Sequence, residues 1–88
     1  MIVTGRQIVA ARGLLGWSQE HLAQAADVGI ATIMRWEAGA VTPRRDTVER
    51  VRLAIEERGV EFTNGGQPGV RFKPGFAEKI LGAPPARE

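Results

Sequence analysis

Eighty-eight residues make one small domain, near the size at which a single core is only just sufficient, and the absence of cysteine rules out disulfides or a thiolate metal site as reinforcement. The charge balance is mild, with 12 basic and 10 acidic side chains for a net charge of +2. One histidine, no tyrosine, no glycine-rich phosphate loop and no carboxylate cluster at metal-ligand spacing argue against an enzyme, and no cofactor or metal is expected. No apolar run approaches the roughly 20 residues that span a bilayer, and the opening MIVTGRQ lacks the build of a signal peptide, so the expectation is a soluble cytoplasmic protein with no membrane partner.

Along the chain, Thr4-Gly5-Arg6-Gln7 fits a capping box, with Val3 and Ile8 placed as a hydrophobic staple, and predicts a helix over 5–15. Ile8, Ala11, Arg12 and Leu15 follow at helical spacing until Gly13, Gly16 and Trp17 weaken the pattern. Leu14, Leu15 and Trp17 are expected to plug the core. Arg12 falls on the inward side, where an unpaired guanidinium would be costly.

From Ser18 to Gly39 two short helices are predicted, over 19–26 and 30–37. Ser18 is a good N-cap, Leu22 and Ala26 lie one turn apart, and Val28, Ile33 and Trp36 supply the inward positions of the second helix, which Ala38-Gly39 closes. The corner is too short for anything but a sharp turn, and Asp27 and Gly29 both tolerate unusual backbone angles. Small Ala23 lets the second helix cross closely, giving helix-turn-helix geometry. Pro43 bars continuation of that helix, and a fourth is predicted over 45–58, with Val48, Val51 and Ile55 as its buried stripe, Ala54 beside them, Leu53 off the stripe and Gly59 as the stop.

Beyond Gly59 the pattern changes to two alternating runs, Val60–Thr63 and Val70–Lys73, around a turn-rich centre. They predict a hairpin over 60–73 with Val60, Phe62, Val70 and Phe72 on one apolar face. An isolated hairpin is marginal in water, so it either packs on its own helices or pairs by an edge with a second copy to make a homodimer. In the tail, residues 74–88, Phe76, Ile80 and Leu81 could form one or two amphipathic turns that dock on a partner subunit; disorder is the other expectation.

Ser18-Gln19 opening a helix, Leu22-Ala23 inside it, Thr32-Ile33 in the next and Trp36-Glu37-Ala38-Gly39 at its end resemble the Cro/repressor-type (XRE) helix-turn-helix family. The resemblance runs from near Thr4 to about Gly59. It implies a mostly α fold, a four-helix lambda-repressor-like DNA-binding domain over 1–59 followed by the hairpin and tail, and double-stranded DNA as the partner. It also implies that Arg12 pairs with Glu37 as a structural ion pair and that Gln19 meets a DNA phosphate. The chain departs from the family pattern in having Ile30 and Ala31 where polar residues are frequent, Gly29 where a Ser or Thr cap is common, and Asp27 where a turn glycine is usual.

In such motifs the second helix enters the major groove by its N-terminal residues while the first lies across the backbone. That placement makes Gly29, Ile30, Ala31 and Arg35 the expected base-contacting residues. Gln19, Thr32, Arg44 and Arg45 are the expected phosphate contacts. Arg35 can donate two hydrogen bonds to guanine O6 and N7, whereas Ile30 and Ala31 can meet only the thymine methyl or fill the groove. Arg35, Arg44, Arg45, Arg50 and Arg52 gather in or just after the reading helix, although a solvated helix face of mixed charge is the commoner meaning of such a run. His21 has no partner in view, and Trp17 and Trp36 read as core.

The function expected from these features is sequence-specific DNA binding by a transcriptional regulator, a repressor acting as a dimer on an inverted-repeat operator. The alternatives are an antitoxin-type autoregulator whose hairpin or Phe76–Leu81 segment holds a toxin, and a protein-interaction module that docks through Ile30, Ala31 and Met34.

Overall fold

The computed structural model describes residues 3–64 and 66–75: four helices, α1 (Gly5–Leu15), α2 (Gln19–Ala26), α3 (Ile30–Glu37) and α4 (Arg45–Glu56), then an antiparallel hairpin of β1 (Val60–Thr63) and β2 (Gly69–Phe72). The helical element considered for Phe76 to Leu81 lies outside the described residues. No helix among the described residues is long and apolar enough to cross a membrane.

α1 begins where its capping box closes. The Gln7 N–H donates to Thr4 Oγ1 at 3.2 Å and the Thr4 N–H donates to Gln7 Oε1 at 2.9 Å, which satisfies two helix-end donors reciprocally. Val3 and Ile8, the two ends of the staple, are both buried. Gly16 ends the helix in the left-handed region, at φ 69°. Gly5 carries a requirement that its place in the capping box does not reveal. A Cβ built on it would overlap the carbonyl oxygen of Trp36 and lie 2.8 Å from its carbonyl carbon. Only glycine lets the start of α1 seat against the end of α3.

The corner between α2 and α3 divides its backbone work unevenly. Asp27 takes the left-handed conformation at φ 55° and caps α2. Gly29, which tolerates the same conformation, is instead extended at φ −69°, and a Cβ added there would meet no atom within 4 Å. Nothing in the geometry requires glycine there. The Arg50 side chain, from α4, donates to the Asp27 carbonyl at 3.3 Å and steadies the turn.

α4 stops at Glu56, two residues short of the expected 58, because Arg58 and Gly59 donate to the carbonyls of Ile55 and Glu56 three residues back, tightening the last turn. Lys73 fixes that stop: its Nζ donates to the Glu56 carbonyl at 3.2 Å and its backbone N–H to the Gly59 carbonyl at 2.7 Å. The backbone bond to Gly59 continues the hairpin register one pair beyond Val60 and Phe72. β2 runs one residue earlier than expected, with Gly69 paired to Thr63 and Phe72 to Val60.

Ile8, Leu22, Ile33, Val51, Ile55 and Val60 are fully buried and join all four helices to the hairpin. Val60 and Phe62 point into this core, with Val70 and Phe72 half-buried behind them, so the apolar face of the hairpin packs on its own helices. Gln7 ties the far end of the hairpin to α1. Its buried amide nitrogen donates to the carbonyls of Thr63 and Gly69 at 3.1 and 3.0 Å while its oxygen serves the capping box, so every hydrogen-bonding group of this side chain is used. Leu14, Leu15 and Trp17 do not plug the core as expected; they lie half-buried against its rim.

Candidate nucleic-acid interface

The inward arginine of α1 does find its partner on α3. Arg12 Nε and Nη2 donate to the two carboxylate oxygens of Glu37 at 2.7 and 2.8 Å, and Arg12 Nη1 donates to the Trp17 carbonyl at 2.9 Å. The Glu37 side chain is only 5% exposed, so the fork-to-fork pairing compensates a carboxylate taken almost fully out of water. The hydrogen bond to Glu37 raises the Arg12 pKa further above its ordinary value, against the opposing cost of burial.

Gln19 belongs to the same network. Its Nε2 donates to Glu37 Oε1 at 2.9 Å, so the side-chain amide expected to be available to a phosphate is partly committed within the protein. Its second amide hydrogen and its backbone N–H, in the first turn of α2, are the groups still suited to an anion. The consequence is positional: one carboxylate at the end of α3 holds the end of α1 and the start of α2 together, which fixes the crossing of the two motif helices.

α3 divides sharply into an inner and an outer face. Ile33 and Trp36 are buried, Thr32 is half-buried, and Ile30, Ala31, Met34 and Arg35 are exposed. Residues four apart are neighbours on a helix, so Ile30 with Met34 and Ala31 with Arg35 form two adjoining rows of one surface. Among the described residues the Arg35 side chain makes no hydrogen bond or ion pair, which leaves its guanidinium available to a ligand. Gly29 caps this helix without a side-chain hydrogen bond.

Arg44 and Arg45 lie at the start of α4, both exposed. Arg44 approaches Asp46 at 3.8 Å, but with side chains 86% and 59% exposed this is a weak surface pair that a phosphate can displace. Two arginines of the expected basic group are otherwise engaged. Arg52 is neutralised by Glu49 and Glu56 on its own helix at 2.5 and 2.8 Å, and Arg50 is held at the turn.

His21, without a partner in view from the sequence, has one in the fold: its ring stacks on Trp17 with centroids 4.5 Å apart and planes 11° from parallel, and the Arg58 guanidinium lies 5.8 Å from the same indole. The four-residue separation of Trp17 and His21 was the available signal, obscured because Ser18 starts a new helix between them. Met34, named beside Ile30 and Ala31 only for a protein-docking surface, lies one turn after Ile30 on the same exposed face as Arg35.

No curated protein sequence matches the chain. The family model described as helix-turn-helix matches residues 8–56, more than half of the 88 residues, spanning the interior of α1, the α2–turn–α3 unit and all of α4. With the motif helices crossed and locked through Glu37 and the outer face of α3 left open, the chain belongs to the Cro/repressor-type helix-turn-helix family of DNA-binding transcription regulators.

Proposed function

We propose that this regulator is a binding protein rather than an enzyme, a repressor that occupies its operator as a dimer and reads each half-site with α3 in the major groove. The observation that carries the reading is Arg35, exposed on the outer face of α3 and free of any protein partner among the described residues, where a guanidinium suits the O6 and N7 of guanine. Arg44, Arg45, Thr32 and the backbone of Gln19 then hold phosphates, and Gly29, Ile30 and Ala31 approach the base edges. One such domain makes few contacts, and two copies placing their α3 helices about 34 Å apart would match an inverted repeat with half-sites one helical turn apart. The apolar face of the hairpin is occupied within the subunit, so a sheet-mediated dimer would form along a strand edge.

A titration of the full chain against a selected duplex tests the reading. Affinity should fall steeply with salt through counterion release, and Arg35→Ala should weaken discrimination at one guanine by about 1 to 3 kcal/mol without lowering the melting temperature. Affinity that ignores both salt and sequence would exclude it. The exposure of Ile30 at 43% and Met34 at 50% favours one second reading, a protein-docking face on α3. In that case random-sequence DNA would show no binding at low or high salt.

A further inference from the structure

Resting on the reading of α3 as the groove-entering helix, we propose that the regulator draws its sequence preference chiefly from the C5-methyl groups of pyrimidines, covered by the apolar pair Ile30 and Met34, with Arg35 making the single hydrogen-bonded base contact from the helix. The chemistry of the exposed face leaves little else. Of its four residues, Ile30, Ala31, Met34 and Arg35, only Arg35 has a polar side chain, and a guanidinium donates but cannot accept. Guanine, with two major-groove acceptors, is its matching base, while the amino groups of adenine and cytosine meet no acceptor on these four side chains. Glu37, the acidic residue of α3, is held by Arg12 and Gln19 and faces the protein.

Ile30 and Met34 are 43% and 50% exposed and lie one turn apart, forming a continuous apolar strip beside Arg35. The apolar feature a major groove offers to such a strip is the pyrimidine methyl. Methionine, unbranched and polarizable, adapts its shape to that contact. Thymine carries this methyl, and 5-methylcytosine carries the same group at the same ring position, so either base would satisfy the strip.

A consensus is first selected from a random duplex pool with the full chain. The selected duplex is then titrated as obtained, with each half-site thymine replaced singly by deoxyuridine, and with the same T·A pair replaced by C·G, unmethylated or 5-methylated at the cytosine. Removing a methyl that Ile30 and Met34 cover should weaken binding about fourfold, the equivalent of one CH₂ group left in water, and 5-methylation of the substituted cytosine should recover about the same factor. In Ile30→Ala/Met34→Ala the uracil penalty should vanish while the guanine preference persists. In Arg35→Ala the guanine preference should vanish while the uracil penalty persists. Both sets of positions are exposed, and matched melting temperatures would verify folding. Equal affinity for thymine and uracil duplexes, with a consensus present, overturns methyl recognition and leaves specific DNA binding standing. A uracil penalty that survives Ile30→Ala/Met34→Ala overturns the assignment to these side chains, and a pool that yields no consensus overturns the operator reading together with this inference.

Discussion

The two ends of α3 are built on opposite plans. At its C-terminus Trp36 is buried, Glu37 receives Arg12 and Gln19, and the backbone meets Gly5 at a distance no other residue permits. At its N-terminus Gly29 supplies no side-chain cap and Ile30 and Ala31 stand in solvent. The gripped end uses buried charge and close backbone contact for orientation, and the open end leaves its side chains exposed. The division is by face as well as by end, since Arg35, in the last turn of this eight-residue helix, is exposed beside the buried Trp36.

Breaking the gripped end should have the largest effects. Arg12→Ala leaves the Glu37 carboxylate buried without its cation and should destabilise the domain by about 3 to 5 kcal/mol in denaturant titration, a large share of what a small domain possesses. An unchanged melting temperature would show that the pair contributes nothing. Gly5→Ala forces α1 away from the end of α3; about 3 kcal/mol should be lost, by overpacking against backbone that cannot yield. If Gly5→Ala melts like the parent, the close approach is absent in solution.

Changes at the open end should barely register in stability. Ile30→Ala/Met34→Ala removes side chains already near half-exposed, so its melting curve should lie within about 0.5 kcal/mol of the parent. A larger loss would mean that this surface is covered in the folded protein. Gly29→Ser sharpens the contrast from the other direction. The extended backbone and open space at that position suit a hydroxyl cap, and a gain of a few tenths of a kcal/mol is expected.

The smallest effect belongs to neither end and calibrates both. The hydrogen bond from Arg52 holds the Glu49 carboxyl below its ordinary value of 4.5. A carboxyl lowered in the folded state stabilises fully above its unfolded value and loses that contribution as pH falls through the folded value. Arg52→Ala should therefore cost slight stability at neutral pH, and the difference from the parent should shrink as the pH falls below 4.5; with Glu49 45% exposed it should also shrink in high salt. A difference independent of pH would point to lost packing of the arginine stem instead.

Much of this molecule was legible locally. The capping box at Thr4 and Gln7, the cap at Ser18, the proline at Pro43 and the alternation after Gly59 act over a few residues, so α1, α2, α3 and the hairpin could be placed from short-range pattern alone. The inward position of Arg12 likewise announced the need for a partner, and the family pattern supplied Glu37.

Groups distant in sequence decided the rest. The end of α4 does not follow from local propensity, because Lys73 reaches back to Glu56 and Gly59. Gln19 was legible as a helix-start residue, but its amide is drawn to a carboxylate 18 positions away, and the second role of Gln7 depends on carbonyls of a hairpin more than 55 positions away. The sequence by itself determined which segments are helical, which stripes turn inward and that α3 would present an apolar leading turn with one arginine, since these follow from spacing along a regular backbone. Only the tertiary structure decided which charges are engaged inside the protein and which remain for DNA, because that depends on the partners each side chain meets after the helices have packed.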